Sequence, residues 1–251
     1  MGLRRVHLPD WPENIGVYQS TRRAGYSSAP WDTFNLGDQV GDDPAHVQAN
    51  RAHLQELLPP HRGIAWLRQV HGTRVVSAGE AVEGPCSADG CWTAESGLVC
   101  AVMTADCLPV VLTDRGGKRV AALHAGWRGL AAGVLVEGVR ALGVDPQGLL
   151  AWLGPCIGAD AYEVGPEVRA GLADLDKVAI SPRGFRPSPG RPGHFLADLR
   201  ALARAQLLGL GLKSVSASDD CTFAAPAEFY SFRRNAVTGR MATLVLRCPT
   251  P

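Results

Sequence analysis

Two apolar runs joined by a glycine-bearing turn constrain this chain more than any other feature. Residues 108–114 read LPVVLTD, residues 119–124 read RVAALH, and Arg115-Gly116-Gly117-Lys118 lies between them. Such short apolar runs are buried strands, and glycines at the tip supply the backbone freedom that a tight hairpin needs. Folding the chain about Gly116 sets Leu108 opposite His124, to within a residue. Cys107 precedes the first strand and His124 ends the second, so a thiol and an imidazole emerge at the same end of the hairpin.

The remaining pattern alternates strands and helices. GIAWLRQV (63–70) and TRVVSA (73–78) read as strands meeting at His71-Gly72, and GLVCAVMT (97–104) and MATLVLR (241–247) as further strands. Asp43 and Pro44 open a helix that carries Val47, Leu54 and Leu57 roughly on one face. A helix is expected over 126–143, stopped by Gly143, and another over 197–212, with Asp198 as its N-cap and Gly211 near its end. The stretch SPRGFRPSPGRPGHF (181–195) is rich in Pro, Gly and Arg and reads as a surface loop, or as a lid. The pattern predicts an α+β layered domain, and 251 residues suffice for a well-filled core.

Bulk composition excludes several function classes. Charged residues are 20%, hydrophobic residues 46%, and the formal net charge is +1, so no nucleic-acid surface is indicated. No apolar run reaches membrane-spanning length, and MGLRRVHLPDWPENIG lacks the apolar core of a signal peptide. A cytoplasmic setting is expected. The seven cysteines contain no CxxC pair and are expected to be reduced there.

His71 ends one candidate strand before a glycine and can project into a cleft. With Cys107 and His124 it makes an N/N/S set suited to zinc, and also to copper, with a fourth position open for chemistry. Taken singly, a cysteine in an apolar run is an ordinary core residue and a histidine at a strand end an ordinary polar one. Gly126 and Gly129 behind His124 allow backbone to approach a ligand, and Arg128 adds a cation with planar donors suited to an anion. The alternative is Trp127 packed in the core and Arg128 paired with an acid. Asp106, beside Cys107, could orient a ligand histidine or move protons, or could cap a turn. Tyr230, Arg233 and Arg234 lie close together in sequence and could meet a phosphate.

Several blocks together, NLGDQVGDDPAHVQANR, RQVHGTRVV, ADG…GLVCAVMTADCLPVVL, LHAGWRGLAAGV, LGPCIGADAYEVGPEV and FYSFRRNAVTGR, resemble the signature of the YfiH-like, or laccase-domain, family. Its members have been called polyphenol oxidases, purine nucleoside phosphorylases and peptidoglycan editing factors. The resemblance runs from about Thr21 to Leu246. It implies a single four-layer α/β/β/α domain with mixed sheets over residues 1–251. It implies a metal, usually zinc, on His71, Cys107 and His124. It also implies phosphorolysis of adenosine, inosine, guanosine and methylthioadenosine, with deamination of adenosine, so that the partners are a purine nucleoside and phosphate. Arg22 and Asn35 fall where the family carries site-proximal residues, and the family's TRxGG reads TRRAG here, with Ala24 in place of a glycine. Rival expectations are a copper-dependent phenol oxidase, a hydrolase of cell-wall precursors with Cys107 as nucleophile and His71 or His124 as base, and a metal-buffering or partner-binding module. The oxidase reading meets the absence of a His-x-His pair that a multicopper cluster would want.

Overall fold

A computed structural model describes residues 2–84, 86–173 and 184–248. One sheet joins β1 (Leu3–Arg5), β2 (Ile15–Ser20), β3 (Gly63–Ala65), β8 (Leu98–Thr104) and β16 (Met241–Arg247), in the order β1-β2-β16-β8-β3. A second joins β5 (Val75–Ser77), β7 (Gly90–Thr93), β9 (Leu108–Asp114), β10 (Val120–Ala125), β11 (Leu149–Leu153) and β15 (Ser214–Ala217), in the order β15-β11-β9-β10-β7-β5. Both are mixed, with β3–β8, β5–β7 and β11–β15 parallel. Two small sheets are added by β4 (Leu67–Arg68) with β6 (Cys86–Ser87), and by β12 (Glu163–Val164), β13 (Phe185–Pro187) and β14 (Phe195–Ala197).

Strand alternation divides the core into layers. Val17, Cys100, Val102 and Val245 of the first sheet meet Val111, Val120, Ala122 and Trp152 of the second in one apolar cluster. The opposite face of the first sheet, with Val99, Ala101, Leu244 and Leu246, packs on Leu54 of α1 (Pro44–Leu57). The opposite face of the second, with Leu112, Leu123 and Leu149, packs on Leu130 of α3 (Trp127–Ala132), Leu135 and Leu142 of α4 (Val134–Leu142), Val168 of α5 (Pro166–Gly171) and Leu202 of α6 (Leu199–Gly209). The result is the expected helix–sheet–sheet–helix stack. A short α2 (Ala78–Glu83) follows β5. Among the described residues no helix is long and apolar enough to cross a membrane.

Helix starts follow local chemistry. Asp43 accepts from the Ala45 N–H, and Asp198 from the Ala201 N–H, as their N-cap positions require. Three expectations change. The helix over 126–143 is two helices, because Gly133 takes φ 99° and ends the first in a left-handed cap. The run 63–70 splits into β3 and β4, which pair with different partners. β4 and β5 do not pair with each other, and His71-Gly72 lies where the chain passes from one sheet to the other. The segment 181–195 is not simply a loop: β13 and β14 pair antiparallel within and beyond it, with an exposed tip over 189–193, while 181–183 lie outside the described residues.

Candidate metal centre

His124 stands near the end of β10, on the face that looks toward the first sheet, two residues after Ala122. The β9–β10 register sets His124 opposite Pro109 and Ala125 opposite Leu108, within a residue of the expectation. Cys107 therefore opens beside His124. The ring of His71 arrives from the sheet-to-sheet crossing, with its centroid 4.8 Å from that of His124. Cys107 Sγ lies 4.0 Å from His71 Nε2. One ligand atom from each of the three falls within 4.8 Å of the others.

Backbone strain surrounds this trio. His71 takes φ 60° and Asp106 takes φ 96°, both in the left-handed region, which costs a non-glycine residue roughly 1–2 kcal/mol. Each turn is held by a buried carboxylate. Asp89 accepts the N–H groups of His71 at 2.9 Å, Gly72 at 2.6 Å and Val70 at 3.2 Å, and its Oδ1 lies 2.8 Å from His124 Nδ1. That bond leaves His124 Nε2 to face the other two side chains. Asp106 holds its own turn by accepting from the Thr222 hydroxyl at 2.6 Å, the Ser231 hydroxyl at 3.0 Å and the Arg233 N–H at 2.6 Å.

The glycines behind His124 have a specific reason. A Cβ on Gly126 would lie 2.9 Å from Cys107 Sγ and 3.1 Å from His71 Cδ2. One on Gly129 would lie 3.0 Å from the Gly72 carbonyl oxygen. They admit the protein's own His71 turn and Cys107, rather than a ligand's approach to the backbone. The helix that follows has six residues and no side-chain cap.

The charges of the trio and of Asp89 are coupled to one another. Burial opposes ionisation of Cys107, yet the His124 and His71 rings outweigh it and bring the thiol down to about 6. Burial likewise opposes the charged form of His124, but Cys107 and Asp89 raise it to about 9. For Asp89, burial is overcome by the hydrogen bonds from His124, Gly72 and Val70, and the carboxylate sits below its ordinary range. Two imidazoles and a thiolate match the borderline-soft donor set of zinc, and a buried carboxylate on the far nitrogen of a histidine is the support such ligands commonly have.

A cavity of about 520 Å³ opens over the trio, with Asp106, Trp127, Arg128, Tyr162, Arg233 and Arg240 in its wall. Arg128 stacks on Trp127 at 4.4 Å, and no carboxylate of the described residues pairs with it. Arg233 lies over the Tyr162 ring at 5.2 Å and donates to the Glu163 carbonyl oxygen at 2.7 Å. Burial raises the Tyr162 phenol, so it stays a donor.

Other residues singled out in the sequence fall elsewhere. Asp106 reaches the cavity wall, but its carboxylate does not orient a ligand histidine; Asp89, which sequence reasoning missed, does. Arg22 is outside the wall: its guanidinium donates to the Asp32 carbonyl and carboxylate oxygens and to the Pro226 carbonyl. Asn35 is fully buried behind the wall, bonded to Gly37, Asp42 and Arg240. Arg234 donates to the carbonyl oxygens of Thr222, Phe223 and Phe229, and the Tyr230 hydroxyl to that of Trp31, so neither faces the cavity. Tyr162 and Arg240 were also missed. The one signal for Asp89 was an acid placed before a glycine, as ADG, just upstream of an apolar run.

Residues 16–248 match the family described as multi-copper polyphenol oxidoreductase laccase. This chain belongs to that family. A relative from Pseudomonas aeruginosa, named purine nucleoside phosphorylase, is 48% identical over 239 residues, spanning 94% of this chain and 96% of its own. Escherichia coli YfiH, also named purine nucleoside phosphorylase, is 42% identical over 245 residues, spanning 97% and 99%. A crystal structure from Neisseria meningitidis superposes with a TM-score of 0.92 at 40% identity, covering 99% of this chain and 100% of its own. YlmD from Geobacillus stearothermophilus superposes at 0.89 with 29% identity, covering 99% and 97%. Within this laccase family the sequence resemblance led us to expect a glycine where Ala24 stands. Ala24 takes φ 66°, so the alanine keeps a glycine-like backbone. Among the described residues a single group of three side chains suited to a metal comes together.

Proposed function

We propose that this protein is a zinc-dependent purine nucleoside enzyme. It phosphorolyses adenosine, inosine, guanosine and methylthioadenosine, deaminates adenosine, and works in the cytoplasm. The observation that carries the reading is the His71–Cys107–His124 trio beneath a cavity whose wall holds guanidinium groups without carboxylate partners. The names of the relatives from Pseudomonas aeruginosa and Escherichia coli support it.

His71, Cys107 and His124 would hold the ion, which when bound supplies Lewis acidity and a water acidic enough to ionise near neutrality. Asp89 keeps the His124 ring turned so that Nε2 points to the ion. Arg128 and Arg233 bind phosphate by charge-assisted bonds. In phosphorolysis a phosphate oxygen bonds to ribose C1′ as the C1′–N9 bond breaks, and the base leaves with the bonding pair and takes a proton. In deamination water adds at purine C6 and ammonia leaves. Asp106, in the cavity wall, would move protons, and the bonds it accepts position the Arg233 backbone and the Cys107 turn.

Chromatography of adenosine incubated with metal-replete protein tests the reading. Adenine and ribose 1-phosphate should form only with phosphate, and inosine should form without it. No phosphate-dependent base release overturns the phosphorylase reading. Full activity in metal-free protein overturns the zinc reading and favours Cys107 as a nucleophile, for which the thiol near 6 is suited. The family's description motivates one further arm: oxidation of a phenol by copper-loaded protein.

A further inference from the structure

Arg240 is a cation of the cavity wall whose backbone and side chain are both held by the surrounding fold. Its N–H donates to Asn35 Oδ1 at 2.8 Å, and Asn35 Oδ1 also accepts from the Gly37 N–H at 2.9 Å. A Cβ on Gly37 would stand 2.8 Å from Arg240 Cγ, so only a glycine there lets the side chain pass. The buried Asn35-Leu36-Gly37 stretch thus aims a guanidinium at the cavity. Within that guanidinium, Nη1 donates to the carbonyl oxygens of Thr238 and Gly239, both at 3.0 Å. Nε and Nη2 have no acceptor among the described residues, and no carboxylate pairs with them. The nearby acid in the wall, Asp38, pairs instead with Arg51 at 3.4 Å.

A second orphan lies beside it. Thr104 is 2% exposed, lines the same cavity, and its hydroxyl has no hydrogen-bond partner. Thr104 pairs in register with Met241, the residue directly after Arg240, and Thr104 and Arg240 both line the cavity. The amide of Gln69, which could have satisfied a ligand here, is spent on both backbone groups of Met103. The buried hydroxyl is costly unless something completes it, and the guanidinium, which has no carboxylate partner and lies 6.0 Å over the Phe232 ring, keeps two nitrogens free to bind. A neutral group would satisfy the hydroxyl but not the charge. An oxyanion satisfies both, and two N–H groups on one guanidinium edge match two phosphate oxygens.

We propose that Arg240 and Thr104 are ligands of the phosphate in this cavity, with Asn35 and Gly37 as the positioning residues that hold Arg240. The assignment rests on the phosphorolysis reading above for the identity of the oxyanion. Calorimetric titration of inorganic phosphate into the metal-loaded protein, without nucleoside, tests it alongside phosphate-dependent base release. Arg240→Gln should weaken phosphate binding by about ten- to a hundredfold, and Arg240→Lys should recover part of that loss. Gly37→Ala should weaken it at unchanged metal content, by displacing the side chain. Thr104→Val should weaken it several-fold while leaving the melting temperature equal or higher, because an orphaned hydroxyl is removed. Unchanged phosphate affinity in Arg240→Gln and Thr104→Val overturns the assignment. Arg240-dependent phosphate binding in a wild-type protein that releases no base supports the oxyanion site and overturns the phosphorylase reading instead.

Discussion

The two strained turns at the metal trio are held by opposite arrangements. At His71 the left-handed residue carries the ligand, and a carboxylate from a distant strand edge, Asp89, clamps its backbone. At Asp106 the left-handed residue is itself the acid, and it collects donors from Thr222, Ser231 and Arg233 to keep the neighbouring Cys107 in place. The first carboxylate touches a ligand ring and the second touches none. Asp89 therefore ties a candidate ligand ring to the fold, whereas Asp106 contributes to the fold and to the cavity wall. Adjacency in sequence singled out Asp106, while the aspartate that contacts a histidine of the trio is Asp89.

The sharpest break in this comparison comes from the ligand between the two turns. Cys107→Ala should abolish tight metal binding, because two imidazoles alone make a poor site, while the fold is kept. Zinc content and melting measured on one sample decide it. Retained metal with lower stability would make Cys107 a core residue and leave the two turns with nothing to serve.

Next come the aspartates themselves. Asp89→Asn should lower metal affinity by about ten- to a hundredfold and destabilise by roughly 3 kcal/mol, since an amide cannot accept from every donor that the carboxylate holds. Asp106→Asn should cost about 2–3 kcal/mol with metal affinity near wild type. Chelator competition and urea unfolding on both variants test the contrast, and equal losses of metal would erase it.

The Arg128 wall sharpens the comparison from the cavity side. Arg128→Ala should raise the phosphate concentration needed for phosphorolysis by about ten- to a hundredfold, or roughly 1.5–3 kcal/mol, with partial recovery in Arg128→Lys. Adenosine deamination should fall much less. Equal loss of both activities in steady-state kinetics would mean that Arg128 holds the site together and does not read the anion.

Acid–base behaviour is a smaller effect. The ordinary histidine value is 6.5, and Cys107 and Asp89, against burial, raise His124 to about 9. Its contribution to the metal-free fold is thus full below 6.5 and lost as pH rises through about 9. Cys107 is lowered from 9.0 to about 6, so its contribution is full above 9.0 and lost as pH falls through about 6. The metal-free pair is therefore most stabilising between about 6 and about 9. Near neutrality a metal must displace the His124 proton. Affinity should climb by up to about tenfold per pH unit toward 9, with close to one proton released from this histidine. Calorimetry in buffers of different ionisation enthalpy measures it. Asp89→Asn should flatten this dependence and Asp106→Asn should not.

The smallest expected effect lies at a third left-handed residue, which has no carboxylate to its name. Ala24→Gly should stabilise by about 0.5–1 kcal/mol, because φ 66° is free for glycine and strained for alanine. Thermal denaturation tests it. A loss of stability would show that the alanine methyl packs well enough to offset its backbone.

Local rules in the sequence determined a good deal here. The β9–β10 hairpin places Cys107 beside His124 through turn geometry and strand period alone. Asp43 and Asp198 cap their helices from positions a few residues away. What needed tertiary structure was every relation between distant segments. Asp89 meets His124 35 residues along the chain, and Asn35 meets Arg240 across 205. A carboxylate or amide that bonds backbone N–H groups leaves no spacing pattern, since any residue supplies the donor. Nor could the sequence tell whether Gly126 made room for a ligand or for His71 and Cys107, because a close approach is defined by what arrives from elsewhere in the fold. The same holds for the orphaned groups of Arg240 and Thr104, which become informative only when the three-dimensional neighbours that might have satisfied them are seen to be bonded to something else.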